Sequence, residues 1–389
     1  MKVLTRTIWL LSLVSLFTDV SSEMLYPVMP IYLRSINFSV LMIGILEGFA
    51  EAAAGLSKGY FGKLSDNMGK RLPFVRFGYS LSALSKPMMA LFTFPVWIFS
   101  ARSLDRLGKG IRTSARDAML SDESSPENKG SVFGFHRSMD TLGAVLGPAI
   151  ALLFLYFYPK DYKTLLYIAF IPGVVSITFT FLIKDKKTEK KIHINKTRFF
   201  DFIQYWKTSP AAYRKLVTGL LLFALFNSSD MFLLLKIKAE GFSDTQAIGV
   251  YIFYNLVYAI FSYRLGVLAD RIGLKKVFLV GLVLFTIVYF GMAFNNNLYF
   301  FFVLFFVYGI YAAATEGISK AWISNITDKK DTATAIGTYT GFQSICTLVA
   351  SSLAGLVWYE FGAMAVFLIA AIATVILLFY FQFVIRNGN

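Results

Sequence analysis

Gly62-Lys63-Leu64-Ser65-Asp66-Asn67-Met68-Gly69-Lys70-Arg71 returns in the second half of the chain as Gly266-Val267-Leu268-Ala269-Asp270-Arg271-Ile272-Gly273-Leu274-Lys275-Lys276. The order of glycine, acid, glycine and basic pair is kept, and the two acids lie 204 residues apart. On either side, Phe17…Ser21-Ser22-Glu23-Met24 answers Phe226…Ser228-Ser229-Asp230-Met231, and Gly110-Ile111 answers Gly317-Ile318, both at an offset of 207. Such a period means that the chain is built from two similar halves, each about half its length.

Composition says where those halves reside. Hydrophobic residues make up 56% of the 389 residues and charged residues 16%, with a mean hydropathy of +0.60. Soluble domains average roughly 45–50% apolar and 25% charged, so a water-soluble fold could not bury this much apolar surface. Apolar segments fall near 7–33, 38–61, 73–93, 95–118, 130–157 and 163–183. A second set lies near 216–237, 246–267, 276–294, 298–321, 333–357 and 362–385. With about 20 residues needed per crossing, the spacing predicts an all-α polytopic membrane protein of twelve spans. The expected domains are a six-helix bundle at 1–183, a basic linker at 184–215 and a second six-helix bundle at 216–389. That leaves no room for a soluble catalytic domain. The N-terminal Lys2, Arg6 and apolar Ile8–Phe17 imitate a secretion signal, but Asp19-Val-Ser-Ser-Glu23 follows without a small-residue cleavage pattern. It is read as an uncleaved first span, loosened beyond Glu23 by Pro27 and Pro30.

The formal charge of +15 and pI of 9.6 would suggest nucleic acid in a soluble protein. In a membrane protein they reflect the collection of Lys and Arg in cytoplasmic loops, so no nucleic-acid partner is expected. Lys63, Lys70, Arg71 and Arg76 lie between spans 2 and 3, and Arg271, Lys275 and Lys276 between spans 8 and 9. Lys329 and Lys330 lie between spans 10 and 11, and the linker carries ten more basic residues from Lys184 to Lys215. Both termini and the linker are therefore placed on the cytoplasmic side of the cytoplasmic (inner) membrane. Phe199-Phe200…Trp206 within the linker suggests either a surface-lying amphipathic helix or a solvated tether. One cysteine, Cys346, and two histidines, His136 and His193, support neither a disulfide nor a metal centre, and no cofactor is expected.

Two six-span halves joined by a basic linker suit an alternating-access carrier with its solute between the halves. The chain resembles the major facilitator superfamily over nearly its whole length. The family's loop G-x-L-A/S-D-R-x-G-R/K-R/K is matched by Gly62, Leu64, Ser65, Asp66, Gly69, Lys70 and Arg71; Asn67 replaces the usual Arg, which the second copy keeps as Arg271 beside Asp270. The resemblance implies that this loop latches one conformational state. Arg102 and Gly108 match part of the family's fourth-span pattern, from which Asp105 and Arg106 depart. Gly143-x-x-x-Gly147-Pro148 in span 5 resembles the core of a motif of proton-coupled exporters, without the glycines that usually follow. The resemblance also implies a monomer.

Ionisable residues inside a membrane are costly and mark pathways or coupling sites by default. At about 100° per residue, Asp19 and Glu23 fall on one face of span 1 with Ser22 and Tyr26. Glu47, Glu51 and Lys58 share a face of span 2. Arg102, Asp105, Arg106, Lys109, Thr113 and Arg116 form a stripe on span 4, and His136, Arg137 and Asp140 share one turn of span 5. These stripes are expected to converge on a water-filled cavity, with Asp19, Glu23, Glu47, Glu51, Arg102, Asp105, Arg106 and Asp140 as proton-coupling and cavity residues. For Glu51, Lys58, Arg112, Arg116 and Asp117 a structural ion-pair role competes with function. The second half carries fewer charges and more tyrosines and amides, among them Tyr254, Tyr258, Tyr308 and Tyr311. Its expected solute contacts are Asp230 and Glu316, beside Tyr26, Arg102 and Arg106 of the first half.

One enzyme-like pattern is present. Gly55-Leu56-Ser57-Lys58-Gly59 fits G-x-S-x-G but lies inside an apolar helix with no histidine placed to serve it. No phosphate-binding G-x-x-x-x-G-K-S/T occurs. The expectation is a secondary transporter of a small solute and protons, not an enzyme. Proton-coupled efflux by antiport leads; proton-coupled import of a polar or anionic solute, such as a carboxylate, sugar or metal chelate, stays open because direction is not written in these motifs.

Overall fold

The structure, a computed structural model, describes residues 3–26, 28–184 and 198–385. Lys2, Pro27 and most of the linker's basic run, with His193, lie outside the described residues. The rest is helical. The first span is two helices, α1 (Arg6–Glu23) and α2 (Met29–Ser35). After them come α3 (Val40–Met68), α4 (Leu72–Leu91), α5 (Pro95–Asp122), α6 (Lys129–Phe157) and α7 (Tyr162–Phe181). The linker contains α8 (Asp201–Thr208). The seventh span is again broken, into α9 (Ala211–Ala224) and α10 (Met231–Ala239). Then follow α11 (Asp244–Ile272), α12 (Leu274–Phe294), α13 (Leu298–Asn325) and α14 (Thr332–Phe383). At about 1.5 Å per residue, α14 is far longer than one crossing of a ~30 Å hydrocarbon layer. Gly362, at φ 81°, ψ 171°, interrupts it, so α14 supplies the last two expected spans.

Local chemistry explains the boundaries. Ser39 caps α3 by accepting from the Met42 N–H at 3.1 Å, and Asp161 caps α7 through Thr164 N–H at 3.1 Å. Ser243 and Gln246 close a reciprocal capping box at α11, meeting orphan donors of the first turn. Gly69 ends α3 at φ 61° and Gly273 ends α11 at φ 103°. These equivalent glycines of the repeat occupy the left-handed region, where other residues are strained. Both broken spans break at the other repeated motif: Ser22-Glu23 closes α1, and Ser228-Ser229-Asp230 precedes α10.

Six helices among the described residues are long and apolar enough to cross a membrane by length and composition: Lys129–Phe157, Tyr162–Phe181, Gln246–Ile272, Leu274–Phe294, Leu298–Asn325 and Lys329–Phe383. The charged α5 is not among them. Exposed side chains such as Leu153, Tyr156, Phe157, Ile376 and Phe383 are those of a protein whose outer solvent is lipid.

Packing separates two units. The first comprises Met1–Glu123, Met139–Thr208 and Asp328–Gly341; the second comprises Ser124–Ser138, Ser209–Thr327 and Phe342–Asn389. Thus α6 and α14 each give their opening residues to one unit and their remainder to the other. In the first unit α5 packs on α3 and on α4, and α7 packs on α1 and α4. In the second, α13 packs on α11 and α12. The linker helix α8 belongs to the first unit: Phe202 and Tyr205 are buried, and Thr338 Oγ1 donates to the Phe202 carbonyl at 3.2 Å. Ile203, Gln204 and Lys207 are exposed on α8.

Candidate functional site

Helix α5 can be buried despite its charge because its glycines let neighbours come close. A Cβ on Gly108 would lie 2.6 Å from the Gly78 carbonyl oxygen of α4, and one on Gly78 would lie 2.6 Å from that of Gly108. A Cβ on Gly110 would meet Ser57 of α3 at 2.6 Å. So close an approach brings short polar side chains of the flanking helices onto the charges of α5. Ser82 Oγ donates to the Asp105 carbonyl at 3.0 Å, and Arg112 Nη1 donates to Ser82 Oγ at 2.5 Å.

A chain of ion pairs runs through the unit. Lys86 Nζ of α4 lies 2.6 Å from Asp105 Oδ1 and 3.3 Å from Ser22 Oγ. Arg102 Nη1 donates to Asp105 Oδ2 at 3.2 Å, while its Nε and Nη2 grip Glu47 at 2.8 and 2.9 Å. Arg106 reaches Glu51 at 3.1 Å and Glu47 at 3.9 Å. Lys86, Arg102 and Asp105 are all at most 5% exposed, so the charges compensate one another in a medium that would not tolerate them singly. Glu47, Glu51, Arg102, Asp105 and Arg106, expected from their stripes to meet, are brought together.

Beside this chain opens a small cavity lined by Asp19, Ser22, Glu23, Tyr26, Arg102, Asp105, Arg106, Lys109 and Arg112. The acids of α1 therefore face the basic stripe of α5. Asp140 of α6 accepts from Ser15 Oγ and lies 3.9 Å from Arg116; it also adjoins Asp19 within hydrogen-bonding reach. Two glycines of α6 hold this part of α1. A Cβ on Gly143 would fall 2.8 Å from Asp19 Cβ, and one on Gly147 would fall 2.6 Å from Met24 N, immediately after Glu23. Pro148 follows, buried inside the helix. Gly143-x-x-x-Gly147-Pro148 is thus the seat of the acidic segment.

The second unit has a separate acidic site. Asp230 accepts from Tyr308 OH at 2.7 Å and Tyr254 OH at 3.4 Å, and the two rings stand 5.1 Å apart. Glu316 pairs with Arg137 at 3.4 Å, and Arg137 also donates to Tyr258 OH. Arg137 and Asp140 share a turn of α6 but part company: the first belongs to this unit and the second to the other.

The repeated loops place their acids alike. Asp66 Oδ2 accepts from the N–H and Oγ1 of Thr334, each at 2.7 Å, in the first turn of α14. Its Oδ1 takes Arg71 at 3.3 Å; Arg71 also reaches the Lys329 carbonyl and Asp122, at 3.2 and 2.7 Å. Asp270 accepts from the N–H groups of Gly130 and Ser131, both at 2.7 Å, in the first turn of α6. Each acid thereby satisfies donors that a helix start leaves open, and its charge complements the helix dipole. Gly62 lets α14 approach, since a Cβ there would strike the Ala333 carbonyl. Lys70 and Arg271 are exposed.

Lys86 is the residue of the candidate site that sequence reading misses. A lone lysine within the Ser82–Ser85–Lys86 segment of an apolar span required a buried partner by the rule applied to the other spans. Ser57, of the enzyme-like pattern, donates to the Ala53 carbonyl within its own helix, an ordinary helical hydroxyl.

Fold and site together define a polytopic carrier. Residues 11–254 and 237–388 match the Major Facilitator Superfamily, and the chain belongs to that family: it is a secondary transporter and not an enzyme. It is 33% identical over 361 residues to an uncharacterized MFS-type transporter of Methanocaldococcus jannaschii, covering 91% of this chain and 89% of that one. It is 22% identical to a multi-drug resistance efflux pump PmrA homolog of Lactococcus lactis, over 88% of this chain and 87% of that one. Among solved structures, it superposes on the human organic anion transporter MFSD10 with a TM-score of 0.79 at 16% identity, covering 97% and 99% of the two chains. On the E. coli fucose:proton symporter FucP the TM-score is 0.81 at 12% identity, covering 98% and 99%. These two likenesses show the fold.

Proposed function

We propose that this transporter is a proton-coupled exporter in which Asp19 and Glu23 exchange protons for an outgoing solute in the cavity of the first unit. The observation that carries this reading is the seating of Gly143 and Gly147 directly on the segment of α1 that holds both acids. A shift of α6 on α1 would therefore change the surroundings of the two carboxyl groups, and the environment of a carboxyl group governs whether it holds a proton. The overall likeness to the Lactococcus lactis efflux pump homolog supports the direction. Glu47, Glu51, Arg102, Asp105 and Arg106 keep the cavity charged and ordered, Tyr26 touches the solute, and Asp230 and Glu316 offer solute contacts in the second unit. Asp66, Gly69, Lys70, Arg71, Asp270 and Arg271 act as the latch of one state. Two six-helix halves, 1–183 and 216–389, work as the moving parts of a monomer in the cytoplasmic membrane, with both termini and the linker at 184–215 cytoplasmic.

Proton-coupled import is the second reading, and the four cationic against three acidic side chains lining the cavity favour an anionic or polar solute for it. Accumulation of a broad solute panel in cells with and without the protein separates the two. Lower accumulation that a protonophore restores supports export. Higher accumulation that a protonophore abolishes supports import and refutes the first reading.

A further inference from the structure

The cavity has an imbalance that proton exchange alone does not use. On α5, Arg102 is gripped by Glu47 and Asp105, and Arg106 is met by Glu51. Two turns beyond, Arg112 is 4% exposed, donates to Ser82 and lies 4.5 Å from the Tyr79 ring. Among the described residues no carboxylate lies within 4.0 Å of its guanidinium or of Lys109 Nζ. Arg106 Nε is buried with no hydrogen-bond partner among the described residues. Across from them on α1, Glu23 has no cation within that distance among the described residues, and a hydrogen-bonding neighbour of Asp19 is another carboxyl group, Asp140. One wall keeps spare donors and positive charge while the other keeps spare acceptors. Lys109 and Arg106 act on Glu23 only across the cavity, so a ligand that carries both signs can bridge the two walls with charge-assisted hydrogen bonds.

We propose that the transported solute is a small zwitterion. Its anionic group binds Arg112, Lys109 and the Nε–H of Arg106, and its cationic group takes the place of the proton at Asp19 and Glu23. The inference rests on the proton-exchange reading of those two acids. A simple anion in this cavity would face Glu23 and Asp19, and a simple cation would face three basic side chains; like charges brought together strongly disfavour binding.

Thermal unfolding of the full chain in detergent tests this with matched, permanently charged probes. These are 3-(trimethylammonio)propane-1-sulfonate, propane-1-sulfonate and propyltrimethylammonium, with the proteinogenic amino acids as further zwitterions. At least one zwitterion should stabilise the chain at a roughly tenfold lower concentration than either singly charged probe. Arg112→Gln should remove that effect. Because Arg112 is buried and its loss can unfold the chain, the exposed Lys109→Gln serves as a second variant and should weaken it about fivefold. Glu23→Gln should bind propane-1-sulfonate about tenfold more tightly than the unaltered chain, a gain that misfolding cannot imitate. The inference is overturned if no zwitterion stabilises the chain, or if a singly charged probe binds as well as the best zwitterion. Proton movement driven by a singly charged solute and dependent on Asp19 would overturn it while leaving the exchange reading intact. Zwitterion binding at Arg112 and Lys109 without any proton movement would uphold the site and remove the exchange reading.

Discussion

Asp105 is the residue whose replacement should be felt most. It is 5% exposed and holds Lys86 at 2.6 Å and Arg102 at 3.2 Å. In Asp105→Asn, Arg102 keeps its two-pronged grip on Glu47, but Lys86, itself 1% exposed, is left with Ser22 Oγ at 3.3 Å. Breaking a buried pair by removing one partner costs about 3–5 kcal/mol. The reverse change, Lys86→Met, leaves Asp105 with Arg102 and should cost less, about 1–3 kcal/mol. The double variant removes both stranded charges together, so adding Lys86→Met to Asp105→Asn should return at least ~1 kcal/mol. For a unit of this size one kcal/mol moves the unfolding midpoint by about 2–4 °C. Thermal unfolding followed by tryptophan fluorescence should therefore show Asp105→Asn lower by on the order of 10 °C, with the double variant above it. Equal small losses for the two single variants, or a double variant below Asp105→Asn, would refute the view that these charges are mutually compensated.

Gly147→Val places side-chain atoms where Met24 N of α1 lies 2.6 Å from the first added carbon; overpacking of this kind costs about 1–3 kcal/mol, read as a lower unfolding midpoint together with reduced flux. Asp66→Ala strips the first turn of α14 of its acceptor, a loss of about 1–2 kcal/mol. It should exceed that of Asp270→Ala, because Asp66 also anchors Arg71; denaturation of the two variants side by side checks the order. Tyr308→Phe removes the 2.7 Å bond to Asp230, worth about 1.5–3 kcal/mol to a charged acceptor. If Asp230 contacts the solute, that variant should raise the solute concentration for half-maximal transport, and unchanged transport would exclude Asp230 from binding.

What was legible in the sequence was whatever repeats or has a helical period. The paired loops at Asp66 and Asp270, the paired motifs at Glu23 and Asp230, and the stripe of α5 could all be read from spacing. Their partners could not. Asp66 meets Thr334 across 268 residues and Asp270 meets Ser131 across 139, and no local rule links an acidic loop to the first turn of a distant helix. Arg137 and Asp140 looked like one cluster because they share a turn; packing sends one to Glu316 and the other to Arg116 and Ser15. Lys86 was legible in principle, since a lysine deep in an apolar span needs a partner, but the apolar residues around it masked it. The breaks in the first and seventh spans were half visible: prolines follow Glu23, whereas nothing in Leu225–Asp230 interrupts an apolar run except serines, an asparagine and the acid itself.

Proton movement across liposomes containing the purified chain reports whether Asp19 and Glu23 exchange protons for solute. An outward-directed solute gradient, with a pH-sensitive dye trapped inside, should produce acidification of the lumen as solute leaves and protons enter. Asp19→Asn and Glu23→Gln should abolish that signal while both proteins keep their folded unfolding midpoint. Lumenal acidification of undiminished size in both variants would contradict the assignment of proton exchange to these two carboxyl groups.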